Sequence, residues 1–279
     1  MKRRTFLKGI AAAGGAGVIT GLYTWQVEPF WLEFTQHPMP VRNLPEELVG
    51  KTLMQISDTH VGTRFPRSYL VESFQKAQAM NPDFVVYTGD FVNYEDKSQF
   101  DQLSEVYDHA VHGKLGTLGI LGNHDYGKDW REDQVADRVT DIVTGKGIQI
   151  LRNQQATVRG LNIVGLDDYW ATNFKPESVL SGLDPNLPHV VLCHNPDVTD
   201  LPVWNGYRGW ILSGHTHGGQ CKPPFLRAPL LPVNNKRYDQ GRKDLEDGRT
   251  LYINRALGHL IQVRFNVRPE ITVFTLERG

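Results

Sequence analysis

Cysteine is nearly absent: Cys193 and Cys221 are the only two in 279 residues. Two thiols cannot staple a disulfide scaffold or supply the four ligands of an iron–sulfur cluster. Outside the cytoplasm they can pair; otherwise they stay free. Long apolar runs are also missing. The stretch from Gly9 to Tyr23 falls short of the ~20 residues of a comfortable membrane span, and its glycines weaken it as an isolated helix. A polytopic membrane protein is therefore excluded. Positive charge is not in surplus, with a formal net charge of −1. The first 25 residues hold four basic residues (Lys2, Arg3, Arg4, Lys8) and no acid, which leaves 26 basic against 31 acidic residues in the rest. A mildly acidic body argues against nucleic acid held by bulk electrostatics, so no nucleic-acid binding is expected. Internal repeats and low-complexity runs are lacking. Gly14-Gly15-Ala16-Gly17 is not a nucleotide loop, because no strand precedes it and the spacing does not fit. What remains is an ordinary globular composition, 40 % hydrophobic and 22 % charged, with ten histidines that raise the question of metals.

The acid-free N-terminus has the layout of an export signal: a basic start, then a short Ala/Gly-rich stretch ending near residue 25. Arg3-Arg4-Thr5-Phe6-Leu7-Lys8 resembles the twin-arginine translocation signal, whose pattern is Arg-Arg-x-Phe-Leu-Lys. That resemblance implies the twin-arginine translocation machinery as a partner. It implies an exported protein, in the periplasm or on the outer face of the cytoplasmic membrane. No good Ala-x-Ala cleavage site follows; Tyr23, Trp25, Phe30, Trp31 and Phe34 do, and such rings favour a membrane interface. Residues 1–25 are thus expected as a signal or as a retained N-terminal membrane anchor. Residues 26–50, with four prolines, read as a linker or edge segment, and residues 51–279 as one domain.

From Lys51 onward strand-like and helix-like pieces alternate. Thr52–Ser57, Phe84–Thr88, Thr117–Leu121, Leu161–Leu166, His189–Cys193 and Trp210–Ser213 are short β-rich runs, several apolar throughout, as in strands buried on both faces. Leu103, Val106, Tyr107 and Ala110 make one helical stripe, and Val135, Val139, Ile142 and Val143 another. Leu251–Asn254, Gln262–Phe265 and Glu270–Leu276 read as strands with little helix between them, so the body is expected to start as α/β and end in β hairpins.

Five of the runs stop at metal-ligand residue types. They give Ser57-Asp58-Thr59-His60, Thr88-Gly89-Asp90, Gly122-Asn123-His124-Asp125, Cys193-His194-Asn195 and Gly214-His215-Thr216-His217. Ligand sites of open α/β sheets form beyond the carboxyl ends of the strands, where these five ends can converge. Glycines 89, 122 and 214 are expected to let the backbone turn sharply there. Cys193 adjoins His194, but strand alternation sends it to the opposite side, so it is not counted as a ligand. Taken singly each motif is weak; the ordered set of five is specific.

That set resembles the calcineurin-like metallophosphoesterases, whose signature is Asp-x-His, Gly-Asp, Gly-Asn-His-Asp/Glu, His and Gly-His-x-His in this order. The resemblance covers about residues 50–279. Gly218-Gly219-Gln220 and Arg268-Pro269-Glu270-Ile271 resemble the twin-arginine-exported bacterial phosphodiesterase branch. It implies an α/β fold, a four-layer α/β/β/α sandwich of two mixed β-sheets flanked by helices. It also implies two divalent metal ions per chain (Mn, Fe or Zn). Carried over residue by residue, Asp58, His60 and His217 hold the first ion, Asn123, His194 and His215 the second, and Asp90 bridges them. Two ions roughly 3.5–4 Å apart clamp a phosphate and acidify a bridging water, and the resulting hydroxide attacks phosphorus. His124 then assists the leaving group, and Asp125 is the neighbour expected to orient or charge it. The implied activity is phosphoester hydrolysis, with a diester ahead of a monoester, on a small-molecule or lipid-linked substrate. Two alternatives stay open: a non-catalytic metal-binding scaffold on the same fold, and a phosphomonoesterase or pyrophosphatase acting on a lipid-linked substrate.

Softer candidates lie nearby. Asp168 reads as a turn residue or as support for the ligands, and Asn195 and Asp197 as stabilisers of their loop. His259 reads as a rim or surface histidine. The proline-rich stretch Pro223–Val233 holds five large apolar residues and reads either as a loop packed on the body or as an apolar rim for a lipid-bearing substrate.

Overall fold

The computed structural model describes residues 3–279. Met1 and Lys2, part of the basic start, lie outside the described residues. A helix α1 (Arg3–Leu22) precedes all sheet structure. Glycines 14, 15, 17 and 21 do not prevent it, and its described side chains are exposed. Among the described residues, no helix is long and apolar enough to cross a membrane. The chain first meets the body at Thr24, whose carbonyl accepts from the Arg264 N–H at 2.9 Å, and is anchored at Glu28, whose buried carboxylate accepts from the Val267 N–H at 2.6 Å.

Twelve strands follow, in two six-stranded mixed sheets. The first contains β1 (Glu33–Val41), β2 (Thr52–Ile56), β3 (Phe84–Thr88), β4 (Gly116–Ile120), β5 (Gln149–Ile150) and β12 (Glu270–Arg278), in the order β1-β12-β2-β3-β4-β5. Helices α2 (Arg67–Ala79), α3 (Ser98–Tyr107) and α4 (Asp133–Gly145) connect β2 to β5 and cover its outer face. The second contains β6 (Gln154–Val158), β7 (Leu161–Gly165), β8 (His189–Leu192), β9 (Gly209–Ser213), β10 (Gly241–Asp244) and β11 (Arg249–Ile253), in the order β10-β11-β9-β8-β7-β6. Its outer face is covered more thinly, by α5 (Glu177–Leu180), a 3-10 turn over Pro196–Asp200 and loop residues such as Trp204 and Tyr238.

The doubly buried strands explain the unbroken apolar runs. Leu53, Phe84, Val86, Leu118 and Ile120 face Leu161, Ile163, Val190, Leu192 and Leu212 between the sheets. Their neighbours of opposite parity, Met54, Ile56, Val85 and Tyr87, pack under the helices. Residues 33–41, within the expected linker or edge segment, form the edge strand β1, parallel to β12. Pro38 and Pro40 are two residues apart, so both missing N–H groups fall on one side of an edge strand, where no ladder bond is lost.

The expected C-terminal hairpins are only partly present. β10 and β11 form one, but β12 crosses back to the first sheet and inserts between β1 and β2. Gln262–Phe265, expected as a strand, is irregular. The cause is Arg264, which is fully buried and wrapped by its own chain. Its guanidinium donates to the carbonyls of Arg255, Ala256, Gly258 and Val267 at 2.8–3.2 Å. A backbone curled round one guanidinium cannot run straight beside a neighbour.

Candidate metal centre

The carboxyl ends of β2, β3, β4, β8 and β9 bring their polar residues to one edge shared by both sheets. Asp58, His60 and His217 present ligand atoms within 4.8 Å of one another, and so do Asp90, His194 and His215. Asp90 lies between the two groups: its Oδ2 is 3.5 Å from His60 Nε2 and 3.2 Å from His194 Nε2. All seven expected ligands, Asn123 included, are buried. His124 is half-buried and forms a third cluster with His60 and Asp90.

The backbone is bent hard to achieve this. Asp58, His60, Asp90, His215 and His217 all have φ between 44° and 71°. Non-glycine residues seldom occupy that region, and such outliers gather at functional sites. The strand-end glycines have different reasons. Gly89 does need its φ of +93°. Gly122 and Gly214 instead make room: a Cβ would stand 2.3 Å from Asp90 Oδ1 at the first, and 2.1 Å from Asp58 Oδ2 at the second.

The rings are held in place from behind. His194 Nδ1 faces the Thr88 carbonyl at 2.8 Å, and His215 Nε2 faces the Pro232 carbonyl at 2.9 Å, which turns the other ring nitrogens towards each other at 3.3 Å. Such outer contacts orient metal-binding imidazoles. Asp58 accepts from the His215 N–H, and Asp90 from the His124 N–H at 2.9 Å.

These residues fit divalent cations. Atoms ~2.1 Å from a common ion lie roughly 3–3.5 Å apart. His60 Nε2 and His217 Nε2 are 3.0 Å apart, with Asp58 Oδ1 3.3 Å from the latter. Buried Asn123 Oδ1 has no hydrogen-bond partner, which leaves an acceptor free for a cation. Charge states agree at Asp58, His60 and His215. Burial pushes the Asp58 carboxyl up, but the His194 and His217 rings outweigh it and hold it down at about 2. Burial lowers His60 far below the usual imidazole range, and burial together with the His194 charge brings His215 to about 3. Ionised carboxylates beside neutral imidazoles are the state that metal ligation requires. His194 moves the other way: Asp90 and Asp58 outweigh its burial and favour the imidazolium.

Asp125 does not meet its expected partner. Its Oδ1 accepts from the Val92 N–H and its Oδ2 from the Gly122 N–H, so both oxygens clamp the loop rather than the His124 ring. Burial lowers His124, the reverse of the expected charging. Asp168 is more than a turn residue: Oδ1 accepts from the Trp170 N–H, while Oδ2 is buried without a partner, and burial raises the group to about 7. Asn195 and Asp197 do brace their loop, Asn195 by accepting from the Asp197 N–H and Asp197 from Asn234 and Asn235. His259 is neither rim nor surface. It is fully buried among Phe30, Phe65 and Tyr69 and accepts from Arg264 Nε. Cys193 packs outside the second sheet, away from the ligands, and both cysteines are free. Residues not anticipated are Trp130 and Trp170, which stack beside the ligands. The available signal was Asp167-Asp168-Tyr169-Trp170, a further polar strand end, after β7. A cavity of about 230 Å³ opens at the opposite end of the second sheet, near Leu187, His189 and Trp204. None of the metal-capable clusters among the described residues lies there.

Comparison with known proteins agrees with this geometry. The profile of the calcineurin-like phosphoesterases matches residues 51–219. The chain is 33 % identical to the uncharacterized metallophosphoesterase YkuE of Bacillus subtilis, over 99 % of this chain and 98 % of that one. It is 29 % identical to the phosphodiesterase YaeI of Escherichia coli, over 99 % of each. It is also 29 % identical to the UDP-2,3-diacylglucosamine pyrophosphatase LpxG of Chlamydia trachomatis, over 92 % of each.

Proposed function

The chain belongs to the calcineurin-like phosphoesterase family and is a hydrolase, and from that footing we propose that it cleaves a phosphodiester at a pair of divalent cations. Asp58, His60 and His217 hold one cation, Asn123, His194 and His215 the other, and Asp90 serves both. The observation that carries this reading is the position of Asp90 Oδ2 between His60 and His194. The cations (Mn, Fe or Zn, given mixed nitrogen and oxygen donors) supply Lewis acidity to the phosphoryl oxygens and a deprotonated water. The protein's own part is to hold seven ligands at strand ends, five of them on strained backbone, to keep Asp58 and Asp90 ionised, and to place His124 at the open side, where it steadies or protonates the departing oxygen.

A phosphodiesterase at 29 % identity supports the diester. A second reading, a pyrophosphatase of a lipid-linked substrate, gains support from Phe225, Leu226 and Leu230. They project exposed from the proline-rich loop that follows His217, so part of that loop does not pack on the body. The twin-arginine-like start and the exposed Trp25, Val27 and Trp31 support an exported protein associated with the outer face of the membrane through its N-terminus.

The test is metal analysis of protein purified from its native compartment, then a panel of diesters, monoesters and pyrophosphates. We expect two ions per chain and a preference for diesters. Asp90→Asn should lower the occupancy of both ions and abolish turnover without unfolding the chain. Full occupancy in that variant removes the shared-ligand assignment.

A further inference from the structure

Trp130 and Trp170 stack with ring centroids 5.0 Å apart and planes 22° apart. Trp170 stands edge to face against His215, at 4.4 Å, and Trp130 against His124, at 6.0 Å. The pair therefore spans the mouth of the metal centre from a proposed ligand to the proposed leaving-group histidine. Together with Asp129, Arg131 and Glu132 it lines an open depression of about 780 Å³.

This placement is built in. Trp130 has φ of +59°, a genuine outlier for so bulky a residue. Its loop is pinned by the Glu132 carboxylate, which accepts from the Lys128 N–H at 2.9 Å and would collide with any Cβ at Gly127. Asp168 fixes Trp170 by accepting its N–H at 2.8 Å. Tryptophans that only fill the body look different. Trp204 and Trp210 are buried, and each donates its indole N–H to a carbonyl, of Val198 and of Pro40. Among the described residues, neither the Trp130 nor the Trp170 indole N–H has a protein acceptor, and both side chains are half-exposed. Two flat rings with free donors, rimmed by both signs of charge, suit a planar polar ring better than an alkyl chain.

We propose that Trp130 and Trp170 form the subsite for the leaving group of the phosphodiester, and that they take a planar heteroaromatic ring, a nucleobase, by stacking. The inference rests on the phosphodiesterase reading above, and the test separates the two.

Metal-loaded enzyme is assayed on a dinucleoside monophosphate and on a glycerophosphodiester. Trp170→Ala should raise KM for the first roughly 5- to 100-fold, the span of a lost base–aromatic stack, and leave the second nearly unchanged. Trp170→Phe should restore most of the loss. In a separate titration, adenosine monophosphate should quench the tryptophan fluorescence of the wild type, and Trp130→Ala/Trp170→Ala should remove that quench. Equal losses on both diesters, or a quench that survives the double substitution, overturn the subsite. A wild type that hydrolyses no diester but shows the Trp130/Trp170-dependent quench defeats the phosphodiesterase reading and leaves the ring site standing.

Discussion

His124 stands within ligand distance of His60 and Asp90 and edge-on to Trp130. Its ring can therefore serve as an extra ligand or as an acid, and substitution separates the two. His124→Ala is expected to keep the metal content of the wild type and to lose roughly 10²–10⁴ in turnover, with a smaller loss on nitrophenyl esters, which need little protonation. Loss of metal would make it a ligand; an equal loss on good and poor leaving groups would remove the acid. Asp168 makes a pH prediction for the metal-free protein. Burial, more than the opposing His194 ring, raises its carboxyl from 3.8 to about 7. The folded state then keeps a proton that the unfolded chain releases, so this residue's contribution to stability falls as pH rises from about 4 to about 7. Asp168→Asn keeps an acceptor for the Trp170 N–H and carries no charge. Above pH ~7 it should be more stable than the wild type, by at most ~4 kcal/mol, and the advantage should vanish near pH 4. Urea denaturation of chelator-treated protein at both pH values decides it; parallel pH dependences in the two proteins refute the assignment.

At the scale of elements, strands were the most legible. Both faces of β3, β7 and β8 are buried, so hydrophobicity marks them, and ligand motifs mark where β3 and β8 end. Gln262–Phe265 was misread because alternation of apolar and polar residues cannot distinguish a strand from a chain coiled round a buried cation. Nothing local announces that Arg264 is inside: its partners are carbonyls, which any sequence supplies, and His259, which reads as a surface residue. The Trp130–Trp170 pair was hidden for another reason: it joins loops from different sheets, and no periodicity links residues so far apart. The coil around Arg264 also braces the site, because Leu257 and Gly258 in it donate to the carbonyls of Ser57 and Asp58. Arg264→Lys keeps the charge but replaces a planar fork with one compact ammonium, leaving carbonyls of the coil unpaired. A loss of roughly 2–4 kcal/mol in unfolding free energy is expected from the orphaned acceptors. A denaturation midpoint equal to that of the wild type would show that the coil does not depend on those bonds.

For the whole molecule, the sheets explain the active edge but not the address. Among the described residues, α1 adds length and exposed apolar surface and joins none of the three hydrophobic clusters of the body. Val18, Ile19 and Leu22 are exposed along it, and Trp25 and Val27 follow. Contact with the body begins beyond α1, at Thr24 and Trp25, whose carbonyls accept from the Arg264 N–H and the Gln262 amide, so changes at the start of α1 should leave the fold and metal centre intact. That separation makes the export reading testable. Replacing Arg3 and Arg4 with lysine keeps the local charge, so bulk attraction to an acidic membrane is unchanged. A receptor that reads planar, multi-donor guanidinium groups should nevertheless fail to recognise the compact ammonium. Arg3→Lys/Arg4→Lys is thus expected to be folded, metal-loaded and active, but retained in the cytoplasm. Cell fractionation with an activity assay on each fraction measures this. Delivery of the double variant to the outer side of the membrane would exclude the twin-arginine route. A wild type found only in the cytoplasm would reduce α1 to a peripheral contact and overturn the exported location.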